Sequence, residues 1–122
     1  MKSNSIFYSE HFPVDFLNEL SIITIKIQRA TFKEAEEFEQ TLQSLVLTKH
    51  YKIIVDFSEC LFADSMIIGI MVKTVKEIRK KNGDIIVITP TSGIKVMFAR
   101  TGLYKIFKQL WTREEAIESF SK

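Results

Sequence analysis

Two short apolar runs constrain the fold of this chain more than any other feature of its sequence. Lys52–Phe57 reads KIIVDF and Asp84–Thr89 reads DIIVIT, the composition of strands that are buried on both faces of a parallel sheet. Between them a helix is predicted to open at Ser65. Its apolar residues recur at helical spacing: Ile68, Met71, Val72, Val75 and Ile78. This order of strand, helix and strand predicts an α/β fold with a mostly parallel sheet covered by helices.

The same alternation extends along the rest of the chain. Ser21–Gln28 is a predicted strand, rich in isoleucine, and Val14–Leu20 is its candidate hairpin partner with a turn at the Asn-Glu pair. Ile6–Tyr8 is a further candidate strand. Downstream, a short third helix is predicted to run from Thr91 or Ser92 through residue 100, and residues 106–110 form a last short strand.

Several helix ends are marked by capping residues. Thr31 with Glu34, and Thr112 with Glu115, have the spacing of a capping box and predict the starts of the first and last helices. Gly83 follows the second helix and is the expected left-handed residue at its end. The Thr-Gly-Leu sequence at 101–103 predicts a similar ending for the third helix.

Composition and charge narrow the classes of function. The 122 residues are expected to form one domain over 1–122, and a net charge of +2 is too small to indicate nucleic-acid binding. The only cysteine, Cys60, excludes an intrachain disulfide and suits a reducing compartment. No apolar run approaches the roughly 20 residues of a membrane span, and the first twelve residues lack a signal-peptide core. We therefore expect a cytoplasmic protein.

Residue patterns for catalysis or metal binding are absent from the sequence. His11 and His50 are far apart, and no cluster of Cys, His and carboxylates has metal-ligand spacing. No GxSxG, P-loop or GxGxxG motif occurs. We therefore expect no enzymatic activity, no bound metal and no cofactor.

The segments IIVDFSECLFADS and NGDIIVITPTSGIKVMFARTGLYKIF carry a resemblance to a known family. They resemble the STAS domain of bacterial anti-sigma factor antagonists, in which a strand ends in Asp, a D-S-[ST]-G-x-G turn opens a helix, and a T-G-L signature follows. Here Asp56 ends the strand, Asp64-Ser65 occupy the turn, and residues 101–103 match the late signature. The resemblance covers roughly 21–117 and implies a four- to five-stranded sheet with about four helices.

The resemblance also implies a function. Such domains bind an anti-sigma factor that is also a serine kinase, which phosphorylates the Ser after the Asp and weakens the complex; a phosphatase reverses this. The matching residue is Ser65. This chain departs from the motif, because Asp64–Gly69 reads DSMIIG and residues 27–31 read IQRAT in place of a G-x-[LI]-D pattern. In the family that the chain resembles, both regions normally border the partner.

Helical spacing places Met66, Gly69 and Lys73 opposite the apolar line of the second helix. With Asp64 and Ser65 they form the predicted partner-facing surface. Each has an alternative role within the chain. Ser65 could be only an N-cap, Asp64 could only hold the loop, Gly69 could pack against a neighbouring element, and the lysines at 73, 76 and 80 could be a solvated face.

Two other functions stay open at this point. One is a non-switching STAS scaffold, such as a subunit of a signalling or lipid-transport assembly. The other is a small α/β enzyme or nucleotide binder, against which the missing catalytic motifs count.

Overall fold

The computed structural model describes residues 9–121, so the candidate strand Ile6–Tyr8 lies outside the described residues. The strands are β1 (Val14–Leu17), β2 (Leu20–Thr24), β3 (Arg29–Ala30), β4 (Lys52–Asp56), β5 (Phe62–Ala63), β6 (Asp84–Ile88) and β7 (Lys108–Leu110). The helices are α1 (Ala35–Leu47), α2 (Ser65–Arg79), α3 (Ser92–Thr101) and α4 (Arg113–Phe120). Short 3₁₀ turns at Phe32–Glu34 and Leu103–Lys105 precede α1 and follow α3.

The main sheet has five strands in the order β1-β2-β4-β6-β7. β1 pairs antiparallel with β2 across the Asn18-Glu19 turn, and the other neighbours are parallel. The predicted mostly parallel sheet and its N-terminal hairpin are thus confirmed. The predicted strand Ser21–Gln28 was too long, since pairing ends at Thr24. After Thr24 the chain forms the short strand β3, which pairs with β5 in a separate two-stranded sheet. The hydrophobic periodicity of the sequence does not predict this second sheet.

Helices cover the two faces of the main sheet unequally. One core joins α1, α2 and α3 to β2, β4 and β6; a smaller one packs α4 against the other face. The strands β2, β4, β6 and β7 follow one another in one direction across the sheet, so crossovers of the same hand place α1, α2 and α3 on the same side. The predicted apolar line of α2 is buried except for Val72, which is half-buried, and the buried stripe also includes Ile67 and Thr74.

An ion pair between the buried Asp56 and the half-buried Arg113 holds α4 against the sheet. The Asp56 carboxylate accepts hydrogen bonds from Arg113 Nε at 2.9 Å and from the Ser58 amide at 2.8 Å. The Arg113 guanidinium also donates to the Thr24 hydroxyl at 2.6 Å. Burial of Asp56 is tolerable because its charge is paired and hydrogen-bonded. Arg113 thereby links the start of α4 to the ends of β2 and β4.

The helices α1 and α2 end in the same backbone motif. Lys49 and Asn82 adopt left-handed conformations (φ 64° and 63°), and the next residue of each donates its amide to a carbonyl five positions earlier. Asn82 therefore takes the position that was predicted for Gly83. Gly83 is required for a different reason, because a Cβ there would lie 2.2 Å from the carbonyl oxygen of Tyr51. The left-handed Gly102 (φ 75°) after α3 is as predicted.

Both predicted capping boxes are present. Thr31 and Glu34 cap the 3₁₀ turn that leads into α1, and Thr112 and Glu115 cap α4. Thr91 precedes α3 but makes no side-chain cap; its hydroxyl donates instead to the carbonyl of Cys60 at 3.2 Å.

The segment before β1 is fastened to α1 by a histidine–carboxylate pair. His11 Nδ1 lies 2.8 Å from Glu37 Oε1, the His11 amide donates to Oε2 at 3.0 Å, and the Ser9 hydroxyl donates to the same oxygen. Phe12 is fully buried against Phe38, with ring centroids 4.8 Å apart. The segment thus combines a buried aromatic anchor with a polar clasp.

This clasp predicts a pH-dependent stability. The hydrogen bond with Glu37 is the main cause that raises the pKa of His11 above its ordinary 6.5, outweighing burial. Burial raises the pKa of Glu37, but its hydrogen bonds from His11 and Ser9 together lower it below 4.5. The Glu37 contribution is present above its ordinary pKa, and the His11 contribution is present below 6.5 and lost as pH rises through the raised pKa.

We therefore expect urea denaturation to show stability falling as pH rises from about 6 to about 8. His11→Gln should flatten this fall, whereas His50→Gln, the matched control, should retain it. An unchanged pH profile in His11→Gln would contradict the assignment.

Candidate functional site

The candidate site lies where β5 leads into α2. Ser65 is the first residue of α2 and is exposed, and Asp64 precedes it as the N-cap. The interpretation of Ser65 as the N-cap is therefore wrong. The cap is made by the Asp64 carboxylate, which accepts hydrogen bonds from the amides of Met66 and Ile67, both at 3.1 Å. Within residues 9–121 the Ser65 side chain has no hydrogen-bond partner, so its hydroxyl is accessible from solvent.

Asp64 also joins two segments that are distant in sequence. Its second carboxylate oxygen accepts the Phe32 amide at 2.7 Å, and its own amide donates to the carbonyl of Ala30 at 3.0 Å. One side chain thus satisfies amides at the starts of two helical segments. This geometry accounts for Asp64 as a structural residue that positions both Ser65 and Phe32.

Four exposed apolar side chains occupy the segments that Asp64 joins. Phe32 is 64% exposed, Leu61 55%, Met66 54% and Phe62 39%. We call these four residues the apolar patch. The pairing of β3 with β5 sets Phe62 opposite Arg29, whose guanidinium carbon lies 4.4 Å from the centre of the Phe62 ring.

Of the four residues in this patch, only Met66 is predicted from the sequence. The count of ten phenylalanines signals that some would be exposed, but not which ones. Phe32 and Phe62 are 30 positions apart, and the pairing of β3 with β5 together with the Asp64–Phe32 hydrogen bond brings their segments together.

The start of α3 packs against the same loop. A Cβ at Gly93 would lie 2.7 Å from the carbonyl oxygen of Leu61, so only glycine fits at this approach. Together with the bond from Thr91 to Cys60, this contact fixes the loop 57–64 from the α3 side. The loop that carries Leu61 and Phe62 is therefore held against the start of α3.

The outer face of α2 continues the exposed surface beyond Ser65. Gly69 is exposed, and a Cβ built on it meets no atom within 4 Å, so the alternative in which Gly69 packs inside the domain is wrong. Lys73 is exposed too, and its ammonium lies 3.6 Å from Glu39 of α1. Lys76 and Lys80 follow along the same exposed face.

The cysteine, histidine and acidic side chains of residues 9–121 give little support for a reactive nucleophile or a metal site. Burial raises the pKa of Cys60, whose thiol donates to the Phe62 carbonyl at 3.2 Å. Such a thiol is a poor nucleophile because the thiolate is disfavoured. His11 and His50 are engaged with Glu37 and Thr48, respectively. Residues 9–121 contain no group of three or more His, Cys, Asp or Glu side chains that could hold a metal ion.

Comparison with known proteins defines the class of domain. The profile of the STAS domain family matches residues 15–117, which is most of the chain. The chain therefore belongs to the STAS domain family. No curated protein matched the sequence.

Among the described residues, no helix has both the length and the apolar character needed to cross a membrane.

Solved structures with this fold include several anti-sigma factor antagonists. A Thermotoga maritima protein provisionally described as one has 21% identity and a TM-score of 0.85, covering 93% of this chain and 97% of its own. Phosphorylated SpoIIAA, a Bacillus cell fate determinant, has 21% identity and a TM-score of 0.70, covering 89% and 98%. The murine anion transporter Slc26a9 matches with 16% identity and a TM-score of 0.67, covering 86% of this chain and 18% of the transporter.

The role of Asp64 can be tested by substitution. Asp64→Ala removes the acceptor of three backbone amides and should lower the free energy of unfolding by about 1–2 kcal/mol. Ser65→Ala, the adjacent control, should change it by less than about 0.5 kcal/mol because its hydroxyl is solvated. Urea denaturation measures both. Equal, small effects would show that Asp64 does not hold the two segments together.

Proposed function

We propose that this chain is a protein-binding module whose binding of an anti-sigma-type serine kinase is switched by phosphorylation of Ser65. The observation that carries the proposal is the exposed Ser65 hydroxyl, which lies between Asp64 and the exposed Met66 at the start of α2. Five residues form the core of the contact surface: Asp64, Ser65, Met66, Gly69 and Lys73. Phe32, Leu61 and Phe62 extend it as the rest of the apolar patch.

Physical chemistry explains how phosphate would act at this position. A phosphate on Ser65 adds about −1.5 to −2 charges beside the Asp64 carboxylate, which already occupies the first amides of α2. Because Ser65 is exposed, the added group should leave the core undisturbed. A partner that had covered the neighbouring apolar side chains would have to desolvate that charge, at a large cost. The expected outcome is dissociation without unfolding.

The structural relatives support this proposal at the level of fold. Phosphorylated SpoIIAA shows that one protein with this architecture carries a phosphate. Under the proposal, a kinase and a phosphatase act on the chain, which catalyses no reaction itself and functions in the cytoplasm. A non-switching scaffold would use the same surface without modification, and the STAS-like portion of the Slc26a9 transporter is a precedent for the fold in another setting.

The switch predicts opposite behaviour for two Ser65 variants. Purified kinases from the host, each with an anti-sigma-type domain, would be titrated against Ser65→Ala and Ser65→Glu by calorimetry. Ser65→Ala should bind one of them like the unmodified protein and resist phosphorylation, whereas Ser65→Glu should bind at least about tenfold more weakly. Both variants should keep the melting temperature of the parent protein.

Intact-mass measurement and peptide mapping of protein isolated from its host provide the second readout. Kinase binding without phosphate at Ser65 under any growth condition would favour the non-switching scaffold. If no such kinase bound, the proposed partner class would be wrong.

The open face at Gly69 gives a separate prediction about the contact surface. Gly69→Ala should raise the free energy of unfolding by up to about 1 kcal/mol, because alanine is the better helix former and space is available. Gly69→Gln should fold normally but weaken kinase binding by projecting into the interface. Thermal unfolding and calorimetry separate these effects. Undiminished kinase binding by Gly69→Gln would remove Gly69 from the surface.

A further inference from the structure

A second concave surface lies at the end of the sheet where the parallel strands begin, away from Ser65. We call this end the amino edge, and the end where the strands finish the carboxyl edge. The parallel strands β2, β4 and β6 begin side by side at Leu20, Lys52 and Asp84, whereas Ser65 follows the far end of β4. Three turns surround the amino edge and line an open surface cavity of about 430 Å³. That volume falls in the range of small-molecule sites, roughly 300–1,000 Å³. Its lining is Asn18, Glu19, Lys49, His50, Tyr51, Lys52, Lys81 and Asn82.

The backbone around this cavity is unusual. Asn18, Lys49 and Asn82 all have positive φ, between 56° and 64°, and they are the only non-glycine residues in the described part of the chain that do. All three line this one cavity. Asparagine tolerates the left-handed region, but lysine at a helix end is an exception where glycine is usual. At Asn18 and Asn82 the conformation is the one that a hairpin turn and a helix end require, so Lys49 is the exceptional position.

The polar groups of the cavity favour an anion. Three lysines line it against one acidic residue, Glu19. Lys49 and Lys81 have no acidic partner within residues 9–121, and Lys52 has only Glu19, at 3.7 Å. Glu19 is 83% exposed and can turn away from Lys52. The side chains leave two positive charges, which the C-terminal ends of α1 and α2, at roughly half a negative charge each, reduce to about one.

We propose that this amino-edge cavity binds a small phosphorylated anion, held by Lys49, Lys52 and Lys81. Lysine binds phosphate as a point charge and needs no fixed geometry, which suits three long side chains around an open rim. The amide groups of Asn18 and Asn82 can donate to further phosphate oxygens. Phosphate is the shared chemistry, whether it belongs to a free metabolite or to a lipid headgroup. The proposal is independent of the function assigned to Ser65.

The alternative is that the lysines only neutralise the C-terminal ends of α1 and α2. Lys49 and Lys81 lie at those ends, where a cation stabilises the helix. The two roles predict different outcomes for Lys49→Gly. Under the proposal, this variant relieves the left-handed strain, so its melting temperature should rise while anion binding weakens. Under the alternative, it changes only stability.

The test is a titration of the ¹⁵N-labelled protein with inorganic pyrophosphate, followed by amide chemical shifts. Saturable shifts should appear around residues 49–52 and 81–84, and sodium chloride at matched ionic strength should not reproduce them. Lys49→Gly and Lys81→Ala should each weaken affinity by about threefold or more. Glu19→Gln should strengthen it, because it removes the competing carboxylate from Lys52. The exposed Lys33, near the other edge, provides the control: Lys33→Ala should bind like the parent protein.

A sedimentation assay with phosphatidylcholine vesicles containing phosphatidylglycerol identifies the source of the phosphate. Binding to these vesicles that is lost in Lys81→Ala would assign the site to a lipid headgroup, and binding of pyrophosphate alone would assign it to a soluble ligand. The proposal is overturned if neither probe binds, if sodium chloride produces the same shifts, or if pyrophosphate binds the lysine variants and the parent protein equally.

Discussion

The parallel alignment of β2, β4 and β6 is the constraint on which the rest of this structure depends. Leu20, Lys52 and Asp84 are paired at one edge, so every helix that follows one of these strands returns across the same face. The sheet therefore acquires two distinct edges. The carboxyl edge leads to the exposed Ser65, and the amino edge is closed by helix ends and a hairpin turn. Each proposed surface belongs to one of these edges.

At the carboxyl edge, short-range hydrogen bonds turn a loop into a defined surface. Asp64 accepts amides at the start of the 3₁₀ turn before α1 and at the start of α2, and the two-residue strands β3 and β5 hold the flanking segments in register. The backbone of Leu61, next to Phe62, lies in close contact with Gly93 at the start of α3. A fixed exposed patch is better suited to binding than a mobile one, because less conformational entropy is lost on association.

At the amino edge, the three left-handed residues and the three lysines line the same cavity. The same Schellman-type ending closes α1 at Lys49 and α2 at Asn82, and the hairpin contributes the third left-handed residue, Asn18. Separation of this edge from Ser65 by the full length of β4 means that a ligand there need not compete with a partner at the other edge. The two surfaces also differ in character, since one is largely apolar and the other is basic.

The sequence by itself determined the α/β class, the parallel sheet, the four helices, both capping boxes and the STAS resemblance, because these depend on local periodicity and spacing. It also indicated the open face of α2, since Met66, Gly69 and Lys73 follow from helical geometry. Only the tertiary structure decided that Asp64 is the cap of α2, that Phe32 and Phe62 join the surface, and that Asn82 takes the left-handed position. The cap depends on which of two adjacent polar residues, Asp64 or Ser65, precedes the first turn of α2. The other features depend on contacts across some 30 residues of chain or on the close approach of Gly83 to Tyr51, and none of them leaves a periodic trace in the sequence.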